Sequence, residues 1–215
     1  MEVFEAIQAR RSVRKFKDIP VSDAILHEML EAARMAPSPG NAQGYAFGVI
    51  RDSGLKTRLA EAAGHQMWIA DAPVVFACCG DIGCDIADRP DDDFGLIVNR
   101  LRFGADFINF MKGCTDRVAC MTLFNNGTPA IPAEHMFLTA VSHGLSGCFI
   151  GYLDVEKATG ILKLPKHLRC LFLLPVGYAD QPPEHKTLKS LREMSFYDQW
   201  TDGGRGCNPI KAVVL

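Results

Sequence analysis

Five cations crowd into eight residues near the N-terminus of this 215-residue chain: Arg10, Arg11, Arg14, Lys15 and Lys17, in "ARRSVRKFKD" (9–18). The whole chain carries a formal net charge of −2, so this positive charge is local and needs a local reason. Three readings are open. A solvated charge run is the plain one, since cations sit favourably near a helix C-terminus. A nucleic-acid arm is the second, but the run is short, its one aromatic residue is Phe16, and no basic stretch of similar density occurs elsewhere. The third is a pocket for one phosphate. On an extended segment side chains repeat every two residues. Arg10, Ser12 and Arg14 then share one side, two guanidinium forks and a hydroxyl that suit a dianion. Arg11, Val13 and Lys15 face elsewhere.

A phosphate bound here is not held by a familiar nucleotide loop. The chain has no G-x-x-x-x-G-K-[ST], and no G-x-G-x-x-G between strand and helix; "GLSGCFIG" (144–151) spaces its glycines differently. Eight cysteines contain no C-x-x-C pair, and most lie in apolar surroundings, so they read as buried structural thiols. Cys78 and Cys79 are expected on opposite faces of a strand. Six histidines are scattered without an H-E-x-x-H, and His135 and His143 read as ordinary helix residues. The mildly acidic balance speaks against a surface devoted to nucleic acid or anionic lipid. Apolar runs such as "CLFLLPV" (170–176) fall far short of the ~20 residues needed to span a bilayer. The first residues carry acids rather than an apolar leader. The expected setting is cytoplasmic, with no membrane or nucleic-acid partner.

The elements that must position these residues follow from periodicity. Helices are predicted over about 2–9, 23–35 (capped by Ser22), 53–63, 95–112, 132–144 and 155–163 (capped by Asp154). Apolar runs predict strands at 45–50, 71–80, 147–152 and 169–178. Two prolines and a glycine in "APSPGNAQGY" (36–45) must end the second helix in a loop. Residues 113–130 look irregular, and the last 35 residues read as an arm wrapped over a surface. Helices interleaved with a few apolar strands make this an α/β or α+β chain of one domain.

The chain resembles the FMN-dependent nitroreductase family in "RRSVRKF" (10–16), "APSPGNAQGYAFGVI" (36–50), "HQMWIADAPVVFACCGD" (65–81) and "GLSGCFIGYLDVEKATGILKLPKHLRCLFLLPVGY" (144–178). The order and spacing of these stretches carry the likeness over about residues 2–197. It implies an α+β fold, a mixed and mainly antiparallel sheet flanked by helices, in an intertwined homodimer. The FMN-binding domain is expected over 1–198, with a C-terminal extension over 199–215. By the same resemblance Arg10, Arg11, Ser12 and Arg14 hold the FMN phosphate and ribityl end. Pro37, Ser38, Asn41 and Gln43 reach the flavin of the other subunit, and Gly147, Ile150 and Gly151 lie along the ring. Lys189, or less well Lys186, completes the phosphate site.

These assignments also make chemical sense residue by residue. Amides such as Asn41 and Gln43 can partner a pyrimidine edge, and glycine lets backbone approach a flat ring. Gly44 and Tyr45 depart from the family's usual Pro and Trp, so ring stacking there is expected to differ. The implied activity is ping-pong hydride transfer from NADH or NADPH, through flavin N5, to a nitroaromatic, quinone or similar small-molecule acceptor, with no catalytic side chain required. Aromatic residues around 94–110 are expected to line the acceptor pocket. The alternative is a non-catalytic flavin- or nucleotide-binding sensor on the same scaffold.

Overall fold

A seven-residue strand buried along its whole length organises the molecule. In the computed structural model, which describes residues 1–116, 129–182, 186–190 and 194–195, the apolar stretch Val74–Gly80 forms this strand, β2. Its neighbours are β1 (Tyr45–Ile50) and β4 (Arg169–Gly177), and β3 (Ser146–Gly147) lies beyond β4, in the order β1-β2-β4-β3. Every ladder is antiparallel. One parallel bridge, Ser12 to Gly147, makes the sheet mixed. Buried on both faces, β2 needs apolar residues at every position rather than at alternate ones.

Alternation along β2 feeds two cores. Val75, Ala77 and Cys79 face one, shared with Leu59 and Ala60 of helix α3 (Ser53–Ala62) and with Ala158 and Ile161 of α7 (Val155–Ile161). Val74, Phe76 and Cys78 face the other. There they meet Ala6 of α1 (Val3–Ala9), Met29 and Ala33 of α2 (Asp23–Arg34), and Met136, Phe137 and Ala140 of α6 (Ala130–Ser142). Cys78 and Cys79 thus occupy opposite faces, as expected. At the register shift after Cys78 the partner changes from Phe172 to Cys170, which leaves Leu171 without an opposite number.

Helix starts follow the capping residues. Ser22 Oγ accepts from the Ile25 amide, Asp52 from Leu55, and Asp154 from Lys157. The periodic stretch 95–112 is two helices rather than one: α4 (Phe94–Phe103) and α5 (Ala105–Gly113). Gly104 lies between them at φ 85°, a left-handed conformation that ends α4 although the apolar spacing runs on. These two helices enclose a small core of their own, with Ile86, Leu96, Ile108 and Met111. The strand expected at 147–152 is regular only at Ser146–Gly147; beyond it one bridge joins Ile150 to Leu173.

The chain divides into two compact units, Met1–Pro183 and Glu184–Leu215. Sheet and helices named above belong to the first. Most of the expected C-terminal arm, including 199–215, and most of the irregular 113–130 stretch lie outside the described residues. No helix among the described residues is long and apolar enough to cross a membrane.

Candidate functional site

The basic segment is stitched into the edge of the sheet. The Val13 amide donates to the Gly147 carbonyl at 2.9 Å, Lys17 donates to the Tyr178 carbonyl at 2.8 Å, and Asp180 donates to the Lys15 carbonyl at 2.9 Å. Val13 and Phe16, 2% and 8% exposed, anchor it in the core. Two inward residues three apart show that strict alternation stops after Arg14, where the segment leaves Gly147 and turns to Ala179. Up to that point Val13 points in and Arg14 points out, while Arg10, Arg11 and Ser12 are half-buried.

The cations have separate environments. Arg10 sits over the Phe137 ring, 5.6 Å from its centroid. Phe137 meets Phe149, and Phe149 meets Phe172, edge to face at 5.6 and 5.5 Å, so Arg10 caps an aromatic ladder that limits its rotamers. Arg11 turns back on α1 and donates to the Gln8 and Arg10 carbonyls at 2.6 and 2.9 Å. Those carbonyls end α1 and lack helical donors, so a cation is favoured there. The Arg14 backbone amide donates to Gln181 Oε1, while its guanidinium is exposed. Lys15 pairs with Asp180 at 3.0 Å in an exposed bridge, and Lys17 is exposed.

Gly147 pairs with this segment, and Ile150 and Gly151 follow it along the edge. A Cβ at Gly147 would come within 2.6 Å of the Pro175 carbonyl oxygen, so the close passage against β4 requires glycine. Ile150 packs into the core and exchanges backbone hydrogen bonds with Leu173 at 2.9 and 3.1 Å. Its part is to place Gly151, whose missing Cβ would meet nothing within 4 Å: bare backbone facing open space.

The second cluster is the loop from Pro37 to Gly44. Gly40, Asn41 and Gln43 all have left-handed backbone, at φ 55°, 61° and 52°. For residues other than glycine that conformation costs roughly 1–2 kcal/mol, less for Asn than for Gln. Local bonds hold it: Ser38 Oγ accepts from the Gln43 amide at 3.0 Å, the Asn41 amide donates to the Ser38 carbonyl at 2.9 Å, and Gln43 Nε2 donates to the Asn41 carbonyl at 3.2 Å. Asn41 and Gln43 are exposed, as is Pro37. Tyr45, after the loop, lies 5.8 Å from Phe47 ring to ring, and burial pushes its hydroxyl pKa up.

A group that inspection of the sequence passes over lies behind this loop. Arg89, inside the acidic "DRPDDD" run, is buried. Its Nη1 and Nη2 donate to Asp81 Oδ2 and Oδ1 at 2.6 and 2.8 Å, and Nη1 also donates to Asp93 Oδ2 at 3.1 Å. Burial opposes its charge, but hydrogen bonding and the field of Asp81, then of Asp93, outweigh it and hold the guanidinium protonated. Asn99 of α4, also buried, presses against Gly40, where any Cβ would strike its side chain. Only the cation amid acids could have hinted at this cluster.

The two clusters stand at opposite corners of one sheet. Tyr45 pairs with Gly80 and Gly80 with Arg169, whereas Gly147 pairs with Val176, seven residues further along β4. Three strand spacings across and seven residues along amount to roughly 25–30 Å. Lys186 and Lys189 fall in the second unit.

The donor set fits FMN. Guanidinium forks and a hydroxyl on an edge segment suit its phosphate, bare glycine backbone suits a ring face, and exposed amides suit a pyrimidine edge. Among the described residues no group of His, Cys, Asp and Glu could hold a metal ion, and His135 and His143 instead bond to Ala32 and Glu28 of α2.

A family model described as the nitroreductase family matches residues 7–178. Among similar proteins, an NADH dehydrogenase of Thermus thermophilus is 29% identical over 82% of this chain and 87% of its own. An oxygen-insensitive NADPH nitroreductase of Salmonella typhimurium is 29% identical over 85% of this chain and 68% of its own. The structure of the NADPH:FMN oxidoreductase from Vibrio harveyi complexed with NAD+ superposes with a TM-score of 0.72 at 25% identity, over 93% of this chain and 78% of that one.

Proposed function

The chain belongs to the nitroreductase family, and from that premise we propose that it is an FMN-dependent oxidoreductase that uses NADH or NADPH to reduce nitroaromatics, quinones or similar conjugated acceptors. The observation that carries this reading is the pairing of the arginine segment with Gly147, which ties the phosphate donors to the strand edge that leads on to the bare glycine backbone of Gly151. When bound, FMN supplies the two-electron chemistry, taking hydride at N5 and giving it up to the acceptor.

The chain's own residues bind and orient. Arg14, with Arg10 and Ser12, holds the phosphate by charge-assisted hydrogen bonds; Arg11 fixes the start of the segment by tying it to α1. Gly151 leaves room for the ring, and Asn41 and Gln43 offer amide donors and acceptors to its polar edge. Those donors stabilise negative charge that develops there on reduction. Phe94, 54% exposed beside the loop, forms part of the acceptor side. Lys189 or Lys186 completes the phosphate site in this reading, with 1–198 as the flavin domain and 199–215 as an extension.

The family resemblance implies two copies. In this reading the loop of one protomer serves the flavin held by its partner, in a homodimer with two sites. Apolar residues left exposed on α1 and α6, Val3, Phe4, Ile7 and Ile131, are suited to that contact.

The test is an absorbance spectrum of purified protein, followed by anaerobic addition of NADH or NADPH. Yellow protein bleached by either nucleotide is expected. Colourless protein that takes up no added FMN overturns the flavin reading, and yellow protein that neither nucleotide bleaches makes it a sensor or assigns another electron donor.

A further inference from the structure

Resting on the flavin reading above, we propose that Arg89 is a positioning residue for the flavin's polar edge: clamped by Asp81 and Asp93, it locks the 38–44 loop in the left-handed backbone that presents Asn41 and Gln43. The Arg89 side chain is 4% exposed, so it acts through the loop and not on the ligand. Both ends of the left-handed stretch are held by elements that meet at Arg89. On one side the Asp81 amide donates to the Gly44 carbonyl at 2.9 Å, while the Asp81 carboxylate takes both guanidinium nitrogens and its carbonyl accepts from Nη2 at 2.9 Å. On the other, Asp93 accepts from Arg89 through Oδ2 and caps α4 through Oδ1, at 2.9 Å from the Leu96 amide. That helix carries Asn99 under Gly40. Ser38, Gln43 and Gly44 line with Asp81, Arg89 and Asp93 a cavity of about 110 Å³.

Physical chemistry gives the cluster a purpose beyond stability. A buried ion network contributes little net stability compared with apolar packing, and its better-attested use is to specify one conformation. Left-handed residues other than glycine persist only where their surroundings over-determine them, and they gather at ligand clamps. Gln43 is such a residue, and Arg89 joins the two elements that constrain it.

The test compares the dissociation constant and reduction potential of bound FMN in the parent, Arg89→Gln, Arg89→Lys, Asn99→Ala and Arg14→Ala proteins. Amides bond more strongly to the charged, reduced edge than to the oxidised one. Arg89→Gln and Asn99→Ala should therefore weaken reduced FMN about tenfold more than oxidised FMN, which lowers the two-electron potential by about 30 mV. Arg89→Lys keeps the charge without the bidentate fork and should recover part of the loss. Arg14→Ala should weaken both forms alike and leave the potential unchanged. Unmoved potentials in both Arg89→Gln and Asn99→Ala overturn the positioning role. If Arg89→Gln does not fold, Asn99→Ala decides alone, since it leaves no buried charge unpaired. A parent that binds no FMN overturns the flavin reading itself, a result separate from flavin-loaded variants with parental potentials.

Discussion

The arginine segment and the 38–44 loop sit at opposite corners of the same sheet and are built in opposite ways. The first uses ordinary extended backbone, hydrogen-bonded to Gly147 and Tyr178, and leaves Arg14 exposed. The second uses left-handed backbone at Gly40, Asn41 and Gln43, and needs a buried ion cluster behind it. A charged phosphate can be held by long side chains on an undemanding backbone, because charge acts at a distance and over many geometries. Hydrogen bonds to a ring edge are directional, so the backbone that aims them has to be fixed.

The contrast predicts different responses to mutation, the largest at the charged corner. Arg14→Ala should cost about 3 kcal/mol of FMN affinity, over a hundredfold, as charge-assisted hydrogen bonds to phosphate are lost; Lys17→Ala should leave affinity almost unchanged. Fluorescence titration with FMN measures both, and equal losses would break the division of the segment into binding and solvated halves. Val13→Ala, which removes buried apolar surface beneath the same segment, should destabilise folding by about 2 kcal/mol in urea. At the other corner the sign reverses. Gln43→Gly relieves the left-handed strain and should stabilise the fold by about 1 kcal/mol in thermal unfolding while weakening FMN. A loss of stability there would show that Gln43 is not strained. Lys15→Ala is the smallest change: its bridge to Asp180 is exposed, so unfolding should shift by no more than about 0.5 kcal/mol, and less in high salt.

Legibility in the sequence followed the same contrast. The capped helices, the buried strand Val74–Gly80 and the opposite faces of Cys78 and Cys79 were readable because their signals are local periodicities. Gly104 was not: the apolar spacing of 95–112 runs through it, and only its φ of 85° divides α4 from α5. The burial of Phe16 was likewise not legible from alternation, because the segment exchanges one pairing neighbour for another after Arg14. Arg89 left almost no trace, since its partners Asp81 and Asp93 are meaningful only once they converge in space.

By itself the sequence determined the kinds of chemistry at hand: a local cationic anchor in an acidic chain, amides in a proline- and glycine-rich loop, and a resemblance that joins them to a flavin. Charge, hydrogen-bonding groups and short-range periodicity belong to residue types, and they survive without coordinates. Only the tertiary structure decided that Gly147 lies against the arginine segment, that the amide loop stands about 25–30 Å away across the sheet, and that a buried guanidinium joins the elements behind it. Those are facts of strand order and register, which depend on contacts between residues far apart in the chain.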